Sequence, residues 1–150
     1  MTRPLPVLIT IYYRNRKWVI PRTGIAPIGF FAVEPVTVLD ADDMDGLAAS
    51  VTELIVAGNP KLASADWTQA PAVVRALALR NEREFERGAR LFHLKAFGKE
   101  MQLSEIPKSR TPGFGGPAKD VVVFPQHTDS RRVAEELQRR VTMSSGAERD

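Results

Sequence analysis

The sequence predicts an α+β fold in a single domain, with a mostly antiparallel sheet packed against two or three helices. Short stretches of β-branched and aromatic residues, bounded by turn residues, occur in both halves of the chain. Other stretches repeat apolar residues at three- and four-residue spacing, as a helix with one buried face requires. A length of 150 residues, of which 43% are hydrophobic, is sufficient for one core.

The predicted domain covers residues 1–143, and residues 144–150 (SSGAERD) are expected to form a frayed tail. No apolar run approaches the ~20 residues that cross a bilayer. The N-terminal residues lack a signal-peptide cleavage pattern. We therefore expect a cytoplasmic protein without membrane contact. Because the chain has no cysteine, disulfides, thiol catalysis and cysteine-based zinc sites are excluded.

The first 40 residues predict three strands. Residues 7–20 indicate two strands around a polar turn at residues 14–17. Residues 29–40 form the third extended stretch. Its candidate inward-facing residues are Phe31, Val33, Val36 and Val38. Pro35 has no backbone N–H to donate, so this strand is expected at a sheet edge or with a bulge.

Residues 40–60 predict the clearest helix. The apolar residues on its one face are Met44, Leu47, Ala48, Val51, Leu54 and Ile55. Asp40, Asp42 and Asp43 precede this pattern, where a carboxylate can accept hydrogen bonds from the unpaired backbone N–H groups of the first turn. Gly58 follows the last apolar residue and is expected to end the helix.

A loop over residues 59–71, anchored by Trp67, is expected to follow. The next segment, from Pro71, predicts a helix, since proline suits a first helical position. Asn81 marks a candidate break into two shorter helices, and Gly88 is expected to end the segment.

The last third of the chain predicts a hairpin, a loop, a strand and a helix. Residues 90–106 alternate apolar and polar side chains around a turn at Gly98. Residues 107–120 hold three prolines and three glycines, which indicates a loop. Residues 121–124 predict a short interior strand. The final helix is expected to begin at Asp129 or Ser130, with its arginines outward.

No motif in the sequence indicates catalysis, a cofactor or a metal. The glycine-rich stretch at residues 113–116 precedes a strand, whereas a phosphate-binding loop lies between a strand and a helix. His93 and His127 lack metal-ligand spacing. Asp129 and Ser130 are adjacent to His127 in sequence, but adjacency is not triad geometry. The sequence therefore predicts a protein that is not an enzyme.

Charged residues of the predicted second helix are the main candidates for partner binding. The arginines are Arg80, Arg83, Arg87 and Arg90, at a spacing of three, four and three that forms one helical stripe. The interleaved acids are Glu82, Glu84 and Glu86. Two interpretations remain open: a solvated face with internal ion pairs, or a recognition surface. Asp42 and Asp43 complete the candidate set.

Several segments in order carry a resemblance to a known family. They are RKWVIPRTG in the opening strand pair, VEPVTVLD running into the capped helix with GNP after it, and APAVVRALALRNEREFERGA before the hairpin, loop and terminal helix. Across most of residues 7–143 the chain resembles the small immunity proteins of bacterial contact-dependent growth inhibition systems. The resemblance implies a cytoplasmic, non-enzymatic protein that binds the C-terminal toxin domain of a cognate secreted effector and blocks its active site.

The net charge of +3 and a pI near 9.5 differ from the acidic character common among immunity proteins against nucleases. The resemblance therefore implies either acidic residues clustered at 40–45 or 82–86, or a toxin that is not a basic nuclease. A second hypothesis is a small nucleic-acid-binding or regulatory module that uses the arginine-rich helix face. A third is a small enzyme with a site assembled from distant residues.

Overall fold

A computed structural model describes residues 7–27, 29–62, 71–108, 114–115, 117–125 and 127–147. The strands are β1 (Val7–Arg14), β2 (Lys17–Ala26), β3 (Gly29–Asp40), β4 (Ala89–Phe97), β5 (Glu100–Ile106) and β6 (Lys119–Pro125). The helices are α1 (Met44–Ala57), α2 (Ala72–Ala76), α3 (Glu82–Arg87) and α4 (Ser130–Ala147). The strands form one antiparallel sheet in the order β3-β2-β1-β4-β5-β6. The predicted single α+β domain is confirmed.

Successive residues of each strand point to opposite faces of the sheet. The first face, defined as the side that carries α1 and α4, includes Tyr13 and Trp18. The second face, which carries α2 and α3, includes Tyr12 and Val19. Each face has its own apolar cluster, so the sheet is the middle layer of three.

The larger cluster lies on the first face. Helix α1 contributes Leu47 and Val51, which are fully buried, as the helical spacing predicted. Helix α4 contributes Val133, Ala134, Leu137 and Val141. Trp18, on β2, has no exposed surface and donates its indole N–H to the carbonyl of Ala41 at 3.2 Å. This cluster is the main core of the domain.

Both ends of α1 follow the sequence prediction. The side chain of Asp43 accepts a hydrogen bond from the backbone N–H of Gly46 at 2.9 Å, which satisfies a donor in the first turn. At the other end, Gly58 adopts φ +71° and donates its N–H to the carbonyl of Leu54 at 3.0 Å.

The smaller cluster lies on the second face and comprises Val19, Val73, Val74, Phe85 and Ala89. The predicted break in the helical segment is confirmed. Helix α2 ends at Ala76, Ala78 adopts a positive φ of 53°, and Asn81 caps α3 by accepting from the N–H of Glu84 at 2.9 Å. Gly88 follows the last residue of α3, as predicted.

Strand β3 is an edge strand, as the proline at position 35 predicted, and its register with β2 shifts at Pro21/Arg22. The prediction that Val38 faces inward is wrong, because its side chain is 40% exposed. Val38 pairs with Val19 and so lies on the second face, which the short helices cover only in part. Leu39 packs against the first-face core instead.

Asn59 bridges a gap between β1 and β2. The backbone pairing of these strands runs from the turn as far as Tyr12 and Val19, near Pro21, which has no N–H to donate. Beyond it, the Asn59 side chain accepts from the N–H of Leu8 at 2.9 Å and donates to the carbonyls of Leu8 and Thr23, both at 2.8 Å. Since α1 lies on the first face and α2 on the second, Asn59 stands where the chain leaves one layer for the other.

Helix α4 begins at Ser130, one of the two predicted starts. It continues to Ala147, so the helix includes residues 144–147 of the predicted tail. Residues 148–150, Trp67, Gly113 and Gly116 lie outside the described residues. Within the described residues, no helix has the length and apolar character needed to cross a membrane.

Candidate functional site

Helix α3, which carries most of the candidate residues, is held at the end of the sheet where β1 turns into β2. The guanidinium of Arg14 donates from Nε to the carbonyl of Phe85 at 3.2 Å and from Nη2 to the carbonyl of Glu84 at 3.4 Å. Lys108 donates from Nζ to the carbonyl of Arg87 at 3.0 Å. These cations satisfy backbone carbonyls near the C-terminal end of a short helix, which fixes its position.

One aromatic side chain anchors α3 to the sheet. Phe85 is 1% exposed and meets the ring of Tyr12 edge-on, with centroids 4.8 Å apart. Burial, with the nearby carboxylates of Glu82 and Glu86, raises the pKa of Tyr12 to about 12, so its hydroxyl stays neutral at physiological pH. The anchor leaves the charged side of α3 facing solvent.

The charged side of α3 carries both signs. Arg80 donates from its backbone N–H and from Nε to Oε2 of Glu84, each at 3.1 Å, and these bonds lower the pKa of that carboxyl. Burial raises the pKa of Glu86, with the charge of Glu82 adding to the effect. Glu82, Arg83 and Arg87 are exposed. The face is therefore a mixed-charge surface with one internal ion pair.

Asp42 and Asp43 lie on the other side of the same sheet end. The turn that holds them is fixed by the N–H of Ala41, which donates to the carbonyl of Arg16 at 2.9 Å. One residue earlier, Asp40 accepts from Nζ of Lys17 at 2.6 Å. The β1–β2 turn thus contacts the segment before α1 as well as α3.

We call this surface the hairpin end. It comprises the β1–β2 turn (residues 14–17), residues 40–43 and residues 80–87. It brings together all of the predicted partner-binding residues except Arg90. Arg14, Arg16 and Lys17 were not among the predicted partner-binding residues, since the sequence indicated only a polar turn there. The signal available was the high density of basic residues in a hairpin turn.

The prediction that Arg90 continues a helical arginine stripe is wrong. The chain leaves α3 at Gly88, and Arg90 lies on β4. Its guanidinium makes two hydrogen bonds to Glu105 on β5, Nε–Oε2 at 2.9 Å and Nη2–Oε1 at 2.8 Å, and its side chain is only 24% exposed. It also lies over the ring of Phe92, 5.2 Å from the centroid. Arg90 is a structural residue of the first face.

Neither histidine contributes to the hairpin end. His93 lies on the second face of β4, between Thr10 and Ser104 on the neighbouring strands. Burial, with a smaller effect from Lys95, lowers the pKa of His93 to about 4, so the imidazole is neutral at physiological pH. His127 is exposed. Among the described residues, no group of three or more histidine, aspartate or glutamate side chains is placed to hold a metal ion.

A shallow groove runs between the start of α1 and α4, but both arginines of its rim are already paired. Arg131 contacts Asp45. Arg139, further along the rim, pairs with Glu136 at 2.7 Å, and that hydrogen bond lowers the pKa of Glu136. This groove offers less unpaired charge than the hairpin end.

No protein-family model and no curated protein matches the sequence. The fold is similar to solved structures. One is a protein of unknown function from Neisseria meningitidis, with a TM-score of 0.65 and 10% identity over 90% of this chain and 93% of that one. Another belongs to a CdiA-CT/CdiI toxin and immunity complex from Yersinia pseudotuberculosis, with a TM-score of 0.65 and 8% identity over 91% of this chain and 96% of that one. At these identities the similarity is one of fold, and it extends over nearly the whole chain.

Proposed function

We propose that this protein is an immunity protein that binds the C-terminal toxin domain of a cognate contact-dependent inhibition effector and blocks its active site in the cytoplasm. The main support is the fold similarity to a chain of a toxin and immunity complex over 91% of this sequence. The segments that resemble immunity proteins in sequence lie within the same fold. In this role the protein acts as a binding surface, without catalytic residues or a cofactor.

The hairpin end is the proposed toxin-binding surface, because its backbone is held in place before any partner arrives. Arg14 fixes α3 through two carbonyls, and the carbonyl of Arg16 fixes the turn before α1. A surface that is already ordered loses little conformational entropy on binding, so more of the contact energy appears as affinity.

The charge pattern of the hairpin end supports a partner surface of mixed sign. Acids at 40–43 and 82–86 flank the bases of the β1–β2 turn, and Arg83 and Arg87 alternate with the acids of α3. Such a pattern favours specificity, because a misaligned partner would place like charges opposite each other. It fits the net charge of +3 better than a uniformly acidic inhibitor surface would.

Co-expression tests the proposal directly. The C-terminal ~150 to 300 residues (about one or two domains) encoded by the reading frame immediately upstream would be expressed with and without this protein. We expect growth arrest by the upstream domain alone, rescue by this protein, and a stoichiometric complex on co-purification. Growth arrest by this protein alone, or the absence of both toxicity and a complex, would contradict the proposal.

Charge reversal tests the surface. Arg83→Glu with Arg87→Glu is expected to weaken toxin binding by at least tenfold, about 1.4 kcal/mol, because oppositely charged partner groups would then face like charges. Arg132→Glu on α4 is the matched control, since Arg132 is also an exposed helical arginine. Equal affinities of both variants, measured by titration calorimetry, would place the interface elsewhere.

The nucleic-acid alternative has less support, since Arg90 is absent from the stripe and the remaining arginines of α3 alternate with glutamates. A titration with bulk DNA and RNA at two salt concentrations separates the two functions. Tight binding that falls steeply with salt would favour a nucleic-acid module.

A further inference from the structure

We propose that the free edge of β6 pairs with β6 of a second copy of this chain, giving an antiparallel dimer with one continuous sheet. This inference concerns self-association and does not rest on the proposed immunity function. It starts from the exposed apolar residues of β6 and from the absence, within residues 121–124 of that strand, of the charges and prolines that normally protect a sheet edge.

Strand β6 is the last strand of the sheet, and its second face is apolar and exposed. Val121 and Val123 are 51% and 52% exposed. No charged residue lies within residues 121–125 (VVVFP). Monomeric proteins usually protect an edge with charges, proline within the strand, a bulge that twists it away, or a covering element. Residues 121–124 carry no charge and no proline.

The opposite edge of the sheet, β3, is protected in several of these ways. Pro35 lies in the middle of the strand, and the register of β3 shifts opposite Pro21/Arg22. Glu34 forms an ion pair with Arg75 of α2 at 3.4 Å, so a helix residue lies across the strand. Among the described residues, the sheet therefore has one edge with several protecting features, β3, and one edge that lacks charge and proline over residues 121–124, β6.

The start of β6 is irregular, so the regular part of the strand that could pair with another strand is residues 121–125. Asp120 adopts φ +53°, where the register with β5 shifts between Leu103 and Glu105. Its carbonyl is bound by the guanidinium of Arg140 from α4. The charged start of the strand is thereby tied to the first face, away from the free edge.

The apolar segment is complementary to itself. In an antiparallel pair centred on Val123, Val121 of one copy lies opposite Pro125 of the other, and Val122 lies opposite Phe124. Apolar side chains then meet on both faces, and no like charges are opposed. A partner strand with charged residues would have to desolvate them against this apolar segment, whereas a second copy brings only apolar side chains, so a second copy is the occupant that fits.

Mass measurements test the proposal. Five paired residues per copy form an interface well below the ~1,600 Å² of a typical stable complex, so we expect a dimer that forms between about 10 µM and about 1 mM. In sedimentation equilibrium, the average mass of the full chain should rise with concentration from 16.6 kDa towards twice that value. Val121→Lys with Val123→Lys should raise the dissociation constant at least tenfold, because lysines would then approach the partner strand. The control is Val38→Lys on β3, which should dimerise like the wild type.

Hydrogen exchange gives a second readout that needs no variant. Amides of residues 121–124 should exchange more slowly at high protein concentration, while amides of β3 should be unaffected. A constant mass across the range would overturn the proposal, as would dimerisation that survives the β6 double variant. A monomeric wild type whose β6 variant loses toxin binding would assign this edge to a different protein, and would also overturn it.

Discussion

The first face of the sheet carries two long helices over a continuous apolar surface, whereas the second carries two short helices and a row of polar side chains. On the first face, α1 and α4 bury a cluster that includes Trp18, Leu47 and Leu137 with no exposed surface. On the second face the buried set is smaller, and Thr10, Thr23 and Ser104 are buried as well. We therefore expect the first face to contribute most of the free energy of unfolding, and the second face to hold α3 in position.

The largest expected difference between the faces comes from a matched pair of leucines. Leu137→Ala on α4 should lower the free energy of unfolding by about 3 to 4 kcal/mol, because it leaves a cavity in a fully buried site. Leu77→Ala after α2 should cost about 1 kcal/mol, because this side chain is only partly buried. Urea denaturation measures both losses, and equal losses of unfolding free energy for the two variants would refute the expected difference between the faces.

The next contrast is between Arg90 and Arg80, which the sequence predicted to lie in one helical stripe but which are expected to differ in their contribution to stability. Arg90→Ala leaves Glu105 largely buried without its partner and should cost about 3 kcal/mol. Arg80→Ala breaks an ion pair whose arginine side chain is 86% exposed, and should cost less than about 0.5 kcal/mol. Chemical denaturation of both variants checks this, and a large loss for Arg80→Ala would indicate that α3 supports the fold more than its exposure implies.

The hydrogen bonds of Asn59 to β1 and β2 are expected to contribute more to the free energy of unfolding than the exposed cap of α3 does. Asn59→Ala removes three hydrogen bonds between two strands and should cost about 2 to 3 kcal/mol, because partly buried backbone groups lose their partners. Asn81→Ala removes one capping bond to α3 and should cost about 1 kcal/mol. If β1 and β2 could close the gap around the alanine, Asn59→Ala would lose less free energy of unfolding than Asn81→Ala, which would contradict this prediction.

The last expected contrast is a pH dependence that belongs to the second face. The pKa of His93 is about 4 in the folded protein and 6.5 in the unfolded chain, so the unfolded chain binds more protons between these values. Stability is therefore lost as pH falls from 6.5 to 4, by about 1 to 2 kcal/mol after allowance for partial exposure. His93→Gln should remove this slope, whereas His127→Gln, at an exposed site, should leave it unchanged.

Local signals predicted the elements whose structure depends on nearby residues. The capping of α1 by Asp43 and Gly58, and the break at Asn81, involve groups within a few residues of each other. The position of Pro35 in an edge strand followed from its missing N–H. In each case the physical cause is short-range and visible in the sequence.

Long-range partners were not predictable in the same way. Arg90 fits a helical spacing, but the chain is extended from Ala89 onward because β1 and β5 supply partners for β4. Val38 has the alternation of an inward residue, yet it stays 40% exposed on the second face, where the helices are short. For the candidate site, sequence analysis found the charged residues of α3 and residues 42–43, but only the structure shows that the β1–β2 turn joins them.

The position of Asn59 between Leu8 and Thr23 has a mechanical consequence. A force applied to the C-terminal end of α1 reaches β1 and β2 together, since one side chain holds both strands. Three residues later, the N–H of Leu62 donates to the carbonyl of Ile25 at 2.8 Å, which adds a second attachment to β2 before the chain reaches the other layer. A load on the C-terminal end of α1 is therefore expected to pass into β1 and β2 through these attachments, and so into the sheet on which both helical layers pack.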